Sequence, residues 1–351
     1  MAVCVASARK ISQTQLAQEL GVSQALVSLV LNGRRQGISP ETYDRIWEHA
    51  VKRGYHPKGM KLTSSPDAGR PRTVGIILRA PLRLSSLGNY FGHIQHGLHS
   101  ALEQAELSTS FLGAEDELTE AKLGRHFAAG HAFKGLVIFG EVSLAFLQLL
   151  RRFERRIVVV SARFPGLAHS VIGNEPQAME QVVGHLHALG HRRMGWIGGN
   201  SDLERHRTRL LAFQNALQQK GLSLDERYCI KLVQADRAEG AEAAHELLPL
   251  RKRRDFPTAL VCYNSLMAHG ATRAFLRAGI KVPGDLSVAG GDPPRTDLKD
   301  EPRITGAGSN PERLGATAAN LIAASTGDDD EPFHDVLLPS QVTLGTSTGP
   351  A

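Results

Sequence analysis

Apolar residues follow two rhythms along the chain. Up to about residue 54 they recur at spacings of three and four, the period of an amphipathic helix, whereas beyond residue 73 short β-branched runs alternate with longer amphipathic stretches. In the first region "SQTQLAQELG" predicts a helix. The Ser12 hydroxyl caps its first amides, Gln15 returns a bond to the Ser12 amide, and Ile11 staples onto Leu16. Gly21 ends it, because a left-handed turn costs glycine no side-chain clash. Ser23 then caps "SQALVSLVL", which Asn32-Gly33 terminates. A third helix starts at Ser39 with Pro40 at its first position and Glu41 in its first turn, carries Tyr43, Ile46, Trp47, Ala50 and Val51 at helical spacing, and stops at Gly54. Helices this short need one shared core. Leu26, Val27, Val30 and Leu31 supply it against Leu16, Ala17 and Leu20, which leaves Ser23, Gln24, Ala25 and Ser28 small and polar on the opposite face. A helix entering a DNA groove needs such an N-terminal face, since bulky residues hold the backbone away from base edges.

After "HPKGMKLTSSPDAGRPR", residues 56–72, whose Pro, Gly, Ser and basic content marks a linker, the body reads as strands "TVGIIL", "GLVIFG", "RIVVVSA", "MGWIGG", "TALVCY" and "DLSVAGGD" interleaved with helices such as "YFGHIQHGLHSALEQA". That alternation predicts parallel sheets covered on both faces. About 280 residues of it predict two doubly wound subdomains rather than one. The expected fold is α/β: a three-helix headpiece over 1–57, a hinge over 58–72, and a two-subdomain body over 73–351 with crossovers near 163–173 and 292–306.

Charge sharpens this division. Residues 1–72 hold eleven Lys and Arg against five Asp and Glu, and the rest of the chain holds thirty of each, so the whole net charge of +6 sits in the first fifth. The pattern is that of a polyanion-binding module on a neutral body, or of a merely solvated basic segment. The 42% apolar and 5% aromatic content suits a globular protein, and no apolar run approaches the roughly 18–20 residues of a membrane span. The charges of "MAVCVASARK" follow its apolar patch, the wrong order for a secretory signal, so a cytoplasmic, nucleoid-associated location is expected. Cys4, Cys229 and Cys262 have no metal-ligand spacing and read as small apolar residues.

"LAQELGVSQALVSLVLNG" resembles the helix-turn-helix pattern V-A-x-x-A-G-V-S-x-x-T-V-S-R-V-L-N-G of the lactose-repressor (LacI) family of bacterial transcription regulators, and "ISPETYDRIWEHAVKRGYHP" is similar to the stretch that follows it there. The resemblance continues through the body. "VVGHLHALGHRRMGWIGG", "RLLAF" at 209–213, "PTALVCYNSLMAHGATRAFLRAGIKVPGDLSVAGGD" and "EPRIT" at 301–305 match family landmarks. It implies a periplasmic-binding-protein-like effector domain behind the headpiece, a homodimer on palindromic operator DNA, a small-molecule effector of the sugar kind between the subdomains, no enzymatic activity, no cofactor and no metal.

Residue by residue, the resemblance puts Gln24 and Ala25 at base-reading positions and Ser12, Ser23, Ser28, Asn32, Ser39 and Thr42 near phosphates, with Tyr55 and Pro57 as landmarks. Ser12, Ser23 and Ser39 serve equally as caps, and both roles are compatible, because a helix N-terminus is itself an anion site. Leu26 stands where the family has Thr, and Leu29 where it often has Arg; losing that Arg removes a guanine contact worth roughly 1–3 kcal/mol. The longer loop "NGRRQGIS" brings Arg34 and Arg35, which add phosphate contacts without sequence information. In the hinge the family's minor-groove Leu position is Ser64. Two readings stay open there: Leu62 or Met60 is the wedge in a shifted register, or this chain bends DNA less.

For the effector, the resemblance names Arg209 as the gripping residue, with Tyr90, Phe91, Asn264, Ser265 and Asp292 around it. Tyr90 and Phe91 read equally as core, Arg209 as a surface Arg, and Asp292 as a loop cap. The family's carboxylates after Asn264 and near the end of "VVVSA" are Ser265 and Ala162 here, which cannot accept paired sugar hydroxyls as a carboxylate does. An anionic, less hydroxylated or absent effector is therefore an alternative to a sugar. A small-molecule module with a decayed headpiece is another. His187 and His191 have zinc-like spacing, but Gly190 ends the helix between them, "GGN" at 198–200 is too short for a phosphate loop, "DDDE" at 328–331 is a solvated loop, and no nucleophile motif accompanies any Ser, His and Asp set.

Overall fold

The computed structural model describes residues 12–31, 38–39, 42, 45–46, 49–50, 72–79, 90–128, 133–294, 302–325 and 332–351. The chain divides into two compact units, Met1–Gly69 and Arg70–Ala351.

In the first unit α1 (Gln13–Leu20) and α2 (Gln24–Leu31) form as their caps dictate. Ser12 Oγ accepts the Gln15 N–H at 3.2 Å while Gln15 Oε1 accepts the Ser12 N–H at 2.8 Å, a reciprocal capping box. Gly21 closes α1 in the left-handed region at φ 66°, where its missing Cβ avoids strain. Leu16, Ala17, Val27, Val30, Ile46 and Ala50 are buried together, with Leu20, Val22, Leu26 and Ile38 packed on them. Residues 42, 45–46 and 49–50 are helical, in keeping with a third helix; Tyr43, Trp47 and Val51 lie outside the described residues.

The second unit holds two six-stranded sheets. Its elements run β1 (Thr73–Leu78), α3 (Tyr90–Gln104), β2 (Ser108–Ala114), α4 (Glu120–Ala128), β3 (Phe133–Phe139), α5 (Leu144–Arg151), β4 (Ile157–Val160), β5 (His169–Gly173), α6 (Glu175–Ala188), β6 (Met194–Gly198), α7 (Glu204–Gln219), β7 (Cys229–Lys231), α8 (Arg237–Leu247), β8 (Ala259–Cys262), α9 (Ser265–Arg277), β9 (Ser287–Gly290), β10 (Thr305–Ser309), α10 (Pro311–Ala324), β11 (Asp335–Leu338) and β12 (Ser340–Thr343). The first sheet is ordered β11-β5-β4-β3-β1-β2 and the second β12-β10-β9-β8-β6-β7. Every pairing is parallel except β10 with β12. Both faces of the first sheet are covered, one by α3 and α10 and the other by α4 and α5, so β1, β3 and β4 read as unbroken apolar runs. The chain passes between sheets after Gly173, after Ser309 and at Pro339, between β11 and β12. The last passage links two short strands with half-exposed residues, and the sequence pattern carried no sign of it.

Each subdomain contains a helix pair whose backbones meet at glycines. A Cβ on Gly97 of α3 or Gly315 of α10 would run into the facing backbone at Glu312 or Ile94, and a Cβ on Gly240 of α8 or Gly270 of α9 would meet Met267 or Arg237 in the same way. Backbone does not yield as a side chain tip does. Gly270→Ala is therefore expected to lower stability by about 1–3 kcal/mol, read as a fall in the thermal midpoint. Gly184→Ala, where the added Cβ meets nothing within 4 Å, should instead raise stability by about 0.5–1 kcal/mol through helix propensity.

Candidate functional site

The C-terminal ends of strands in both sheets face one crevice of about 580 Å³, the place where sheets of this kind take ligands. Arg79 follows β1, Gly140 and Glu141 follow β3, Ser161 follows β4, and Tyr90 and Phe91 open α3 on one side. Asn200 follows β6, Arg205 and Arg209 lie on α7, Tyr263, Asn264 and Ser265 follow β8, and Asp292 follows β9 on the other. All six residues assigned to the effector in the sequence thus line one cavity.

Their chemistry differs from the expectation at the central arginine. Arg209 is only 2% exposed, and its guanidinium is engaged. Nε and Nη2 donate to the two carboxylate oxygens of Glu175 at 2.5 and 3.2 Å, Nη1 donates to the Tyr263 carbonyl, and the group lies 5.0 Å over the Tyr263 ring. Arg205 joins the same carboxylate at 2.9 Å. Burial alone would raise the Glu175 carboxyl above its ordinary pKa, but the Arg209 and Arg205 charges outweigh it and hold the group below. Glu175 occupies the first turn of α6, capped by Asn174 Oδ1 on the Gln177 N–H at 3.1 Å. The sequence reading missed this carboxylate, although an acid directly after an Asn cap in "GNEP" was its signal.

Asn264 caps α9: its Oδ1 accepts the Met267 N–H at 2.8 Å, and its Nδ2 donates to the Ala235 carbonyl at 2.9 Å. Asp292 is buried and accepts the Ser265 N–H at 2.6 Å, so it braces the first amide of α9. Tyr90 and Phe91 meet edge to face at 5.5 Å and also pack on the core, so the crevice and core readings hold together.

Among the described residues, three hydrogen-bonded contacts span the crevice. The Glu141 carboxylate accepts the Glu204 N–H at 3.0 and 3.2 Å and caps α7, whose own cap residue Leu203 has no side-chain acceptor. Arg205 Nη2 donates to the Tyr90 hydroxyl at 3.3 Å with its guanidinium 5.0 Å over that ring, and Arg79 Nη2 donates to Asn200 Oδ1 at 3.4 Å. Glu141→Ala removes a cap and a tie at once. It is expected to cost about 1–2 kcal/mol in denaturant unfolding and to raise the radius of gyration in small-angle scattering.

In the headpiece, Ser23, Gln24 and Ala25 are exposed at the start of α2, with Ser23 Oγ accepting the Leu26 N–H at 3.2 Å, while Ser28 is half-buried and Leu29 is 40% exposed. Ser39 Oγ accepts the Thr42 N–H at 3.3 Å and donates to Thr42 Oγ1 at 2.8 Å. Asn32, Arg34, Arg35, Tyr55 and Leu62, with the hinge readings at Met60 and Ser64, lie outside the described residues. His191 stands beyond the end of α6, with Nδ1 2.8 Å from Thr258 Oγ1 and Nε2 3.0 Å from Ser287 Oγ, a packing role rather than a helical zinc pair. Among the described residues no cluster of His, Cys, Asp and Glu fits a metal ion, and no helix is long and apolar enough to cross a membrane.

A fold of two linked α/β subdomains around a crevice is that of periplasmic binding proteins, and the family described as periplasmic binding protein-like domain matches residues 183–348. Over nearly the whole chain the sequence is similar to HTH-type regulators. The transcriptional repressor PurR of Aliivibrio fischeri (strain MJ11) is 24% identical over 318 residues, 90% of this chain and 91% of that one, and the transcriptional regulator AglR of Rhizobium meliloti (strain 1021) is 28% identical over 357 residues, 96% and 94%. The solved structure of the regulator CelR in complex with cellobiose superposes with a TM-score of 0.66 at 22% identity, covering 96% of this chain and all of that one. The lac repressor dimer bound to operator and the anti-inducer ONPF gives 0.64 at 20% identity, covering 97% and 100%. The resemblance to LacI-family regulators that the sequence motifs carry is borne out by these similarities.

Proposed function

We propose that the chain is a repressor which reads a palindromic operator as a cytoplasmic homodimer and answers to a small molecule in the crevice. Residues 1–57 form its DNA-binding headpiece, 58–72 its hinge, and 73–351 the effector-binding and dimerisation domain. The observation that carries DNA reading is the exposed end of α2. Ser23, Gln24 and Ala25 stand clear of the core on a helix pair fixed by a capping box and a left-handed glycine. Small side chains there let the helix approach base edges, where Gln24 can pair an adenine and the Ala25 methyl can meet a thymine. Ser12, Ser28, Ser39 and Thr42, with Asn32, Arg34 and Arg35, contact phosphates, and two-fold symmetry requires two half-sites.

The effector reading rests on the crevice and its three spanning contacts. A ligand that prefers the closed arrangement shifts the balance between closed and open forms by its difference in affinity for the two. The CelR complex with cellobiose supports a sugar-sized occupant. The engagement of Arg209 by Glu175 favours a second reading, in which the crevice closes without an effector. Selection from a pool of random duplexes tests the main proposal. Recovery of a two-fold symmetric site is expected, and recovery of no shared sequence would contradict it.

A further inference from the structure

Arg209 and Arg205 share the Glu175 carboxylate, which occupies donors of both, so the crevice lining holds one cation outside any ion pair among the described residues, Arg79. It is half-buried, the one hydrogen bond of its guanidinium among the described residues is the long one to the Asn200 amide oxygen, and burial lowers its pKa against the pull of the Glu141 and Glu115 charges. Among the carboxylates that line the crevice, Glu141 accepts the first amide of α7 and Asp292 the first amide of α9, so neither pairs directly with Arg79, although the Glu141 charge still favours the guanidinium.

A second observation lies on the same sheet edge. The Ser161 side chain is 7% exposed and its hydroxyl has no hydrogen-bond partner, although it lines the crevice. Its backbone sits in the left-handed region at φ 69°, a strained conformation for a residue other than glycine and one that clusters at ligand sites. Strands β1, β3 and β4 are neighbours in register at Leu78, Phe139 and Val160, so Arg79 and Ser161 flank Gly140 at about two strand spacings, roughly 10 Å. Gly140 places no side chain between them.

We propose that the effector carries an anionic group, carboxylate or phosphate, seated over Gly140 between the Arg79 guanidinium and the Ser161 hydroxyl. This rests on the crevice being the effector site, and it relocates the charge recognition from Arg209 to Arg79. A guanidinium gives an anion charge-assisted, paired hydrogen bonds, and a buried hydroxyl without a partner supplies one more donor.

The test is calorimetric and thermal titration of the full chain at constant ionic strength with inorganic phosphate, glucose, glucuronate and glucose 6-phosphate, repeated with Arg79→Gln and Ser161→Ala. Phosphate is expected to raise the melting temperature of the parent chain and not of Arg79→Gln. At least one anionic sugar should bind about tenfold or more tighter than glucose, with that advantage lost in Arg79→Gln and reduced in Ser161→Ala. Preference for glucuronate or for the phosphate ester decides between the two anion types. Without ligand, Arg79→Gln should melt no lower than the parent, because burial of the guanidinium outweighs the Glu141 and Glu115 charges that favour it. Glucose binding as tightly as its anionic derivatives would overturn the anion seat and leave the crevice reading standing. An anion response unchanged by Arg79→Gln, a lower melting point of the unliganded variant, or no response to any compound would also overturn it. Duplex selection reports on DNA reading independently.

Discussion

Glu175→Ala, behind the crevice arginines, is expected to lower the unfolding free energy by about 3–5 kcal/mol, the largest effect of any single substitution in and around the crevice. Among the described residues the truncation leaves Arg209, 2% exposed, with the Tyr263 carbonyl as its hydrogen-bond acceptor and Arg205 with the Tyr90 hydroxyl, each beside a tyrosine ring that carries no charge. An uncompensated buried guanidinium costs far more than the pair contributes. Glu175→Gln retains an acceptor and should lose less, and combining Glu175→Ala with Arg209→Met should recover much of the loss by removing the stranded charge. The same pair sets a pH dependence. The folded-state pKa of Glu175 lies below its ordinary value of 4.5, so the stabilisation is fully present above about pH 4.5 and is lost as pH falls through the lower folded value. Urea unfolding from pH 7 to pH 3 should show an acid loss in the parent chain that is smaller in Glu175→Ala. Equal slopes for the two would show that the carboxylate is not held by the arginines.

Leu16→Ala is expected to disable DNA binding without touching a residue that reads DNA. Leu16 is fully buried among Ala17, Val27, Val30, Ile46 and Ala50, and removing a buried leucine costs about 2–5 kcal/mol. A core this small rarely supplies more than about 3–5 kcal/mol, so the headpiece would be largely unfolded at equilibrium. Operator affinity should fall roughly 10–100-fold in proportion to the folded fraction, while the melting transition of residues 70–351 stays where it is. Retained affinity would mean that the headpiece core is built differently from the cluster around Leu16.

The parts of this structure legible in the sequence are those that short-range chemistry decides. Ser12, Gln15 and Gly21 bound α1 because capping and left-handed turns act within four residues. The apolar runs at 73–78, 157–160 and 259–262, the first two rich in β-branched residues, became strands because both their faces are covered. Strands β2, β5, β7, β10, β11 and β12 were not foreseen. They are short, half-exposed, or interrupted by Gly and Ser, and their pairing is settled by partners distant in the chain. The crevice was legible through the resemblance as a set of residues, not as a charge arrangement. Arg209 was read as a free gripping group because nothing local announces that Glu175, thirty-four residues earlier, takes its donors. Arg79 and Ser161 were missed for a related reason. A single Arg after a strand and a single Ser before an Ala are ordinary in sequence, and only the order of β1, β3 and β4 sets them on either side of Gly140.

The absence of any Lys or Arg from α2 remains the most consequential feature of the headpiece. If an uncharged face reads sequence, affinity and specificity reside in different residues: phosphate contacts carry the salt dependence, and Gln24 carries the discrimination. The direct measurement is a titration of the duplex-selected site, and of variants at each base pair, by the parent chain and by Gln24→Ala over a range of salt concentrations. Gln24→Ala is expected to relax discrimination at one symmetric pair of positions by about 1–3 kcal/mol and to leave the slope of log affinity against log salt unchanged. Base-pair preferences identical in the two proteins, with binding that varies only with salt, would contradict it and leave the exposed end of α2 without a reading role.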